Sequence, residues 1–169
     1  MSYATMQPLM RDGTAVSLEG KEVLKVTQKV ARHMERSQSL FGTKAFAISE
    51  VGKLADACDV ENWDGNGAAA IDDVAVDRAI EFIRALPGAM PMPELAAEPD
   101  GSISLDWIQS RHRLFSLSIN SSERIAYAWL DGSDTGHGVA YFDGRAIPSR
   151  ILNLIQTIVK YGDTSIWAA

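Results

Sequence analysis

Residues 102–130 read SISLDWIQSRHRLFSLSINSSERIAYAWL, and they decide the fold. Apolar and small residues alternate along three runs, centred on Leu105, Leu117 and Tyr127. A period of two is typical of β-strands with one buried face, because successive side chains point to opposite sides. The connections QSRHR and NSSER are too short for a crossover between parallel strands. The stretch therefore predicts an antiparallel meander.

Further elements flank the meander. Two more strands are predicted, at PELAAE and at GVAYF, because the turn formers PDG and DG follow these segments directly. Helical spacing occurs before the sheet, at residues 45–60 and 71–86, and after it from Pro148. The apolar positions of the first helix are Phe46, Ile48, Val51, Leu54 and Cys58. We expect an α+β fold, an antiparallel meander of four to five strands with helices before and after it packed on the sheet.

The composition is that of a single globular domain. The chain has 169 residues, of which 46% are hydrophobic and 22% are charged. One cysteine, Cys58, excludes an intramolecular disulfide framework and a multi-cysteine metal site. No run of residues has the apolar length of a signal peptide or a membrane span. We expect a soluble, cytoplasmic protein, and no residue pattern predicts a cofactor or a metal site.

Positive charge is concentrated at the start of the chain. Residues 1–46 carry a net charge of +3, whereas the rest of the chain carries −9. This division predicts a basic N-terminal arm over residues 1–46, a core domain over residues 47–162 and a tail over residues 163–169. Basic residues of the arm line one face of a predicted amphipathic helix: Lys21, Lys25, Lys29, Arg32 and Arg36. A solvated helix face is the favoured interpretation, and contact with nucleic acid or an acidic partner is the alternative.

The segment ENWDGNGAAAIDD, residues 61–73, combines acidic, amide and glycine residues between two predicted helices. Its oxygens match part of the spacing of a calcium-binding EF-hand loop, but Asp73 occupies the last ligand position in place of a glutamate. Asp72 and Asp73 are better explained as the start of the next helix, where carboxylates are favoured. The favoured interpretation is a turn that Asp64 shapes and Trp63 anchors to the core.

A second polar segment, DGSDTGHGVAYF at residues 131–142, contains the Asp-Thr-Gly triplet of aspartic proteases at Asp134. The chain holds no second copy of this triplet, which the chemistry of those enzymes requires. His137 and Asp134 have the chemistry of a base and its orienting carboxylate, but no nucleophile is recognisable. The favoured interpretation is a hairpin loop rich in turn formers before the strand GVAYF. We assign no catalytic residue.

Several of these motifs occur together in one group of proteins. The segments ENWDGNGA, PDGSISLDW, RLFSLSI and IAYAWL, with a later HG, resemble a family of small bacterial proteins. Its members share an N-W-D-G-x-G-A turn and a P-D-G-x-I-x-L-x-W strand. The resemblance covers about residues 47–160. It implies the α+β fold and a bacterial origin, and it brings no activity with it.

The leading functional hypothesis is a non-catalytic interaction protein, antitoxin-like or an accessory of phage defence by analogy of layout. Its candidate surfaces are the basic face of the arm, a sheet edge and a sheet face of small residues that includes Ser104, Ser116 and Ser118. Ala126 and Ala128 on that face predict at least partial cover. The expected partner is a protein encoded by an adjacent gene, or a second copy of the chain. Nucleic acid is a less favoured partner, and a membrane is not expected.

Two alternatives remain beside this hypothesis. One is a hydrolase in which Asp64, Asp134 and His137 converge near one end of the sheet, within hydrogen-bond reach of a common substrate atom. The other is weak, salt-sensitive binding of nucleic acid through the Lys/Arg stripe of the arm.

Overall fold

The computed structural model describes residues 42–160, except for the side chain of Lys160. Residues 1–41 and 161–169 lie outside the described residues, and so do the predicted tail and the predicted basic face of Lys21, Lys25, Lys29, Arg32 and Arg36. The described elements are α1 (42–57), α2 (Asp73–Ala85), β1 (Glu94–Ala97), β2 (Ile103–Ser110), β3 (Arg113–Ile119), β4 (Arg124–Asp131), β5 (Asp134–Tyr141) and α3 (Ser149–Lys160). The boundary predicted at residue 46 falls inside α1. Within the described range, no helix has the length and apolar character to cross a membrane.

All five strands form one antiparallel sheet in the order β1-β2-β3-β4-β5. The predicted α+β fold with an antiparallel meander is therefore confirmed, and the sheet has five strands. Leu105 lies opposite Leu117, which lies opposite Tyr127, so the apolar positions of the central strands share one face. The pairing of β2 with β3 shifts register between Ile108 and Ser110.

The sheet has a buried face and an outer face. On the buried face, Leu105, Phe115 and Leu117 have no exposed surface, and Phe82 of α2 and Ile155 of α3 belong to the same core. Helices α2 and α3 contact β2 and β3, in the middle of the sheet. The outer face carries mainly serine and alanine at the alternate positions, as the sequence predicts.

A row of aromatic rings crosses the buried face. The ring centroids of Trp107 and Phe115 are 5.8 Å apart, those of Phe115 and Tyr127 are 6.0 Å apart, and those of Tyr127 and Trp129 are 6.2 Å apart. The guanidinium carbon of Arg150 in α3 lies 5.9 Å from the centroid of the Tyr127 ring. Such contacts add to the burial of apolar area and hold β4 against α3.

Both ends of α2 have specific partners. Asp72 is its N-cap, as predicted, and accepts a hydrogen bond from the backbone N–H of Val74 at 2.8 Å. At the other end, Lys44 of α1 donates to the carbonyl oxygen of Arg84 at 2.8 Å and to that of Leu86. A cation is favoured there because the helix C-terminus carries partial negative charge. Lys44 thereby ties α1 to α2.

Of the apolar positions that the spacing of this segment gives, all but Phe46 belong to the core or pack against it. Ala47, Val51 and Cys58 are buried, whereas Phe46 keeps 66% of its surface exposed. Ala47 is buried beside Phe46, while Ile48 and Leu54 are partly buried against the core. Burial, followed by the charge of Asp59, raises the pKa of the Cys58 thiol.

Candidate functional site

In the loop after α1, polar side chains form hydrogen bonds with the backbone of the same loop. Asp64 Oδ1 accepts hydrogen bonds from the backbone N–H groups of Asn66 (2.7 Å) and Ala68 (3.1 Å). Asn62 Oδ1 accepts from the N–H of Gly67 at 2.7 Å, and Asn62 itself has a φ of 65°. These backbone hydrogen bonds lower the pKa of the Asp64 carboxyl. The loop is therefore the turn that the sequence predicts, with Asp64 shaping it.

Backbone hydrogen bonds join this turn to the turn between β1 and β2. The N–H of Ala69 donates to the carbonyl of Pro99 at 2.9 Å, and the N–H of Asp72 donates to that of Gly101 at 3.1 Å. Trp63 packs against the core, and its indole N–H donates to the carbonyl of Ala69 at 2.9 Å. The segments NWDG and PDG thus meet in one place. Their contacts give both a structural role.

The segment at residues 131–142 is mostly strand. Only Gly132 and Ser133 form the turn between β4 and β5, and the strand begins at Asp134. Gly132 has a φ of 67°, which fits the first position of a two-residue type II′ turn. The predicted hairpin is therefore present, but its loop is shorter than predicted, because residues 134–137, including Gly136, belong to β5.

Two aromatic rings explain those glycines. Gly136 lies opposite Trp129, and Gly138 lies opposite Tyr127. A Cβ at position 136 would lie 2.1 Å from the indole of Trp129, and one at position 138 would lie 2.6 Å from the hydroxyl oxygen of Tyr127. The rings of β4 thus fold across β5 and close this side of the core, and β5 has room only for glycine beneath them.

The polar cluster considered for hydrolysis does not converge. Asp64 belongs to the loop that is bonded to the β1–β2 turn, whereas Asp134 begins β5 at the opposite end of the sheet. The eight residues of β5 span about 25 Å. His137 lies on the outer face, and strand alternation directs Asp134 to the other face. Moreover, within residues 42–160 no three His, Cys, Asp or Glu residues are grouped to hold a metal ion.

The outer face contains a shallow depression of about 380 Å³ over β3, β4 and β5. Its lining includes Ser116, Ser118, Ala126, Ala128, His137 and Val139. Ala126 and Ala128 are exposed, so the partial cover that we predicted for them is not observed. Ser104 is only 3% exposed, and its hydroxyl donates to Asp106 at 2.6 Å. Of the three predicted partner-binding serines, the depression therefore includes two.

The outer edge of β5 presents backbone groups that no described residue bonds. In an antiparallel pair, alternate residues direct their N–H and C=O toward the neighbouring strand, and the residues between them point away. Phe142 follows β5 in register and donates to the carbonyl of Glu123 at 2.8 Å, so the even-numbered residues face β4. Thr135, His137, Val139 and Tyr141 therefore direct their backbone groups outward. No residue of the described chain hydrogen-bonds to these groups, which we call the β5 edge.

The two edges of the sheet differ in how they are protected. At the other edge, β1 has only four residues and follows Pro93, and a groove of about 540 Å³ with a mainly apolar lining separates it from α1. Short strands, nearby proline and charged residues all discourage the addition of a further strand. β5 has eight residues, pairs regularly with β4, and carries no lysine, arginine or proline. Val139 and Tyr141 on this edge are 54% and 60% exposed.

Comparison of the chain with protein-family models, with curated proteins and with solved structures finds no match.

Proposed function

We propose that the protein is a non-catalytic interaction module that binds a protein partner by adding a strand of that partner to β5. The β5 edge carries this proposal, because a long, regular edge strand without lysine, arginine or proline is a template for pairing with another chain. Strand addition of this kind obtains its affinity from backbone hydrogen bonds. It needs no catalytic side chains.

The depression of the outer face supports the same function. It begins at His137 and Val139 of β5 and continues inward over the exposed methyl groups of Ala126 and Ala128. A partner strand beside β5 directs alternate side chains toward this face. The small side chains at the bottom of the depression leave room for large apolar side chains of the partner, and this fit supplies selectivity.

The alternatives receive less support. A hydrolase would need Asp64, Asp134 and His137 together, and Asp64 lies at the far end of the sheet from Asp134. Nucleic-acid binding by the N-terminal stripe concerns residues outside the described range. An antitoxin-like or defence-accessory role is one use of such a module. It is tested by asking whether the product of an adjacent gene binds the β5 edge.

Affinity purification with matched variants tests the proposal. Val139→Pro removes an outward N–H from the β5 edge, whereas Ile108→Lys alters an exposed apolar residue (49% exposed) of the same face on the interior strand β2. We expect the tagged protein and its Ile108→Lys variant to retain the same partner, either another protein or the untagged chain. The Val139→Pro variant should lose that partner. Equal retention by all three proteins would overturn the proposal.

A further inference from the structure

We propose that the strand accepted by β5 is the β5 of a second copy, placed antiparallel about a two-fold axis at Gly138. This inference rests on the function proposed above and names its partner. The β5 edge is eight residues long and has no hydrogen-bonded neighbour among residues 42–160, and an identical edge on a second copy matches it in length. Closed two-fold dimers are also the commonest assemblies of identical chains.

The hydrogen-bonding pattern selects the position of the axis. Among the described residues of β5, the ones whose N–H and C=O groups point away from β4 are Thr135, His137, Val139 and Tyr141. An axis at Gly138 pairs His137 with Val139 of the second copy, and Thr135 with Tyr141 of the second copy. Every outward residue of both strands then exchanges backbone hydrogen bonds. Moving the axis by one residue leaves one outward position beyond the end of the other strand.

The side chains are compatible with this register. His137, Val139, Thr135 and Tyr141 all lie on the outer face, so the pairs formed across the axis contain no carboxylate, lysine or arginine. Asp134 of each copy lies opposite Phe142 of the other copy, so the two Asp134 carboxylates do not face each other. Val139 and Tyr141, which are largely exposed in one chain, gain neighbours in the pair.

Glycine suits the position on the axis. Residues that face each other there form a non-hydrogen-bonded pair, whose Cα atoms approach to about 4.5 Å. Gly138 allows that approach without a side chain, and Tyr127 already fills the space beneath it. Pairing would therefore extend the sheet across both copies while each core stays closed by its own aromatic rings.

Charge gives this dimer a recognisable response to salt. Each chain carries a net charge of −6, so two copies repel each other at long range, and β5 contributes no compensating ion pair. Added salt screens that repulsion. We therefore expect the association constant to increase severalfold from about 50 to about 500 mM NaCl. An interface held by opposite charges would weaken instead, and that result would overturn the self-pairing.

Sedimentation analysis of the full chain at about 50 µM tests the stoichiometry. The wild-type protein and the Ile108→Lys control should sediment at twice the chain mass of 18.4 kDa. Val139→Lys, which places a charge beside His137 of the second copy, should sediment as a monomer with unchanged circular dichroism. A monomeric wild-type protein, or equal weakening by both substitutions, would overturn the self-pairing.

Cysteine cross-linking tests the register. When a His137→Cys chain is mixed with a Val139→Cys chain, the two thiols lie in a hydrogen-bonded pair with Cα atoms about 5.5 Å apart, which a disulfide can bridge. The native Cys58 is buried, so we expect it to form no cross-link. We expect this mixture to cross-link faster than a mixture of His137→Cys and Ile108→Cys chains. Equal rates would overturn the proposed pairing.

The experiments separate failure of this inference from failure of the proposed function. A monomeric wild-type protein that retains a different protein, and loses it on Val139→Pro substitution, rejects the second copy but keeps strand addition. If neither another protein nor a second copy depends on Val139, the β5 edge is not a binding site, and both proposals are wrong.

Discussion

The indole of Trp129 in β4 occupies the space that a side chain at position 136 would need. A Cβ built on Gly136 would lie 2.1 Å from two carbon atoms of that ring. Trp129 lies opposite Gly136 in the sheet, and its ring stacks beside that of Tyr127. This relationship explains why a position inside β5 holds glycine, a residue that by itself indicates a turn.

We expect Gly136→Ala to destabilise the protein by about 2 kcal/mol, because the new methyl group forces the Trp129 ring out of its packed position. Chemical denaturation measured by far-UV circular dichroism gives the free energy of unfolding. Trp129→Leu should remove most of the additional cost, so the double variant should be more stable than the sum of the single effects predicts.

Gly52→Ala is the matched control for this substitution. Gly52 lies in α1 and has no heavy atom within 4 Å of its built Cβ. Alanine there should increase stability by about 0.5–1 kcal/mol, because it lowers the entropy of the unfolded chain and favours helix. If both alanine substitutions change stability in the same direction, the explanation from Trp129 is wrong.

The meander was predictable because its signal is local. Alternation around Leu105, Leu117 and Tyr127 needs only a period of two and short connections, and the cap at Asp72 needs only its own helix start. Two glycines in GHG, by contrast, indicate a turn when they are taken alone. The aromatic rings that require them lie on the neighbouring strand, so the information is tertiary.

The candidate site shows the same division. The sequence indicated a small-residue face and, in general terms, a sheet edge, but it could not indicate which edge would remain open. That depends on strand order, which places β5 last and leaves its odd-numbered residues without a neighbour in the described chain. Ser104 shares the alternation of Ser116 and Ser118, yet its burial depends on its place in the sheet.

Lys44 should contribute more to stability than a surface lysine. Its ammonium group donates to the carbonyl oxygens of Arg84 and Leu86 at the end of α2. Lys44→Met should cost about 1 kcal/mol, because two carbonyl groups lose a charged donor while the aliphatic part is retained. Lys53→Met in the same helix breaks only an exposed pair with Glu50 and should cost at most about 0.5 kcal/mol. Equal costs in urea denaturation would contradict this role for Lys44.

Acid should destabilise the fold partly through its turns. Hydrogen bonds from backbone N–H groups lower the pKa of Asp64 and Asp143, and the hydroxyl and N–H of Ser102 lower that of Asp100, from the ordinary value of 3.8. A carboxyl whose pKa is lower in the folded state stabilises it above the unfolded pKa, and this stabilisation disappears as the pH falls through the folded pKa. We therefore expect the melting temperature to decrease when the pH is lowered below about 4.

Asp64→Asn tests the contribution of one turn to that pH dependence. The amide oxygen can still accept from Asn66 and Ala68, but it no longer titrates. We expect a smaller fall in melting temperature between about pH 6 and pH 3 than for the wild-type protein. Asp77→Asn serves as the control and should reproduce the wild-type curve. Asp77 is exposed in α2, and its carboxylate accepts no hydrogen bond from a described residue. Parallel curves for all three proteins would contradict the role of Asp64.

Proline substitution distinguishes the two sides of β5. The N–H of Val139 points away from the sheet, whereas that of Ala140 is directed at Ile125 of β4. Proline removes the N–H group, so Ala140→Pro should cost about 3 kcal/mol or more, whereas Val139→Pro should cost about 1 kcal/mol or less. Denaturation at a protein concentration low enough to prevent association measures both on the single chain. Because the β5 edge is defined by this alternation, equal costs at positions 139 and 140 would remove the basis for strand addition at β5.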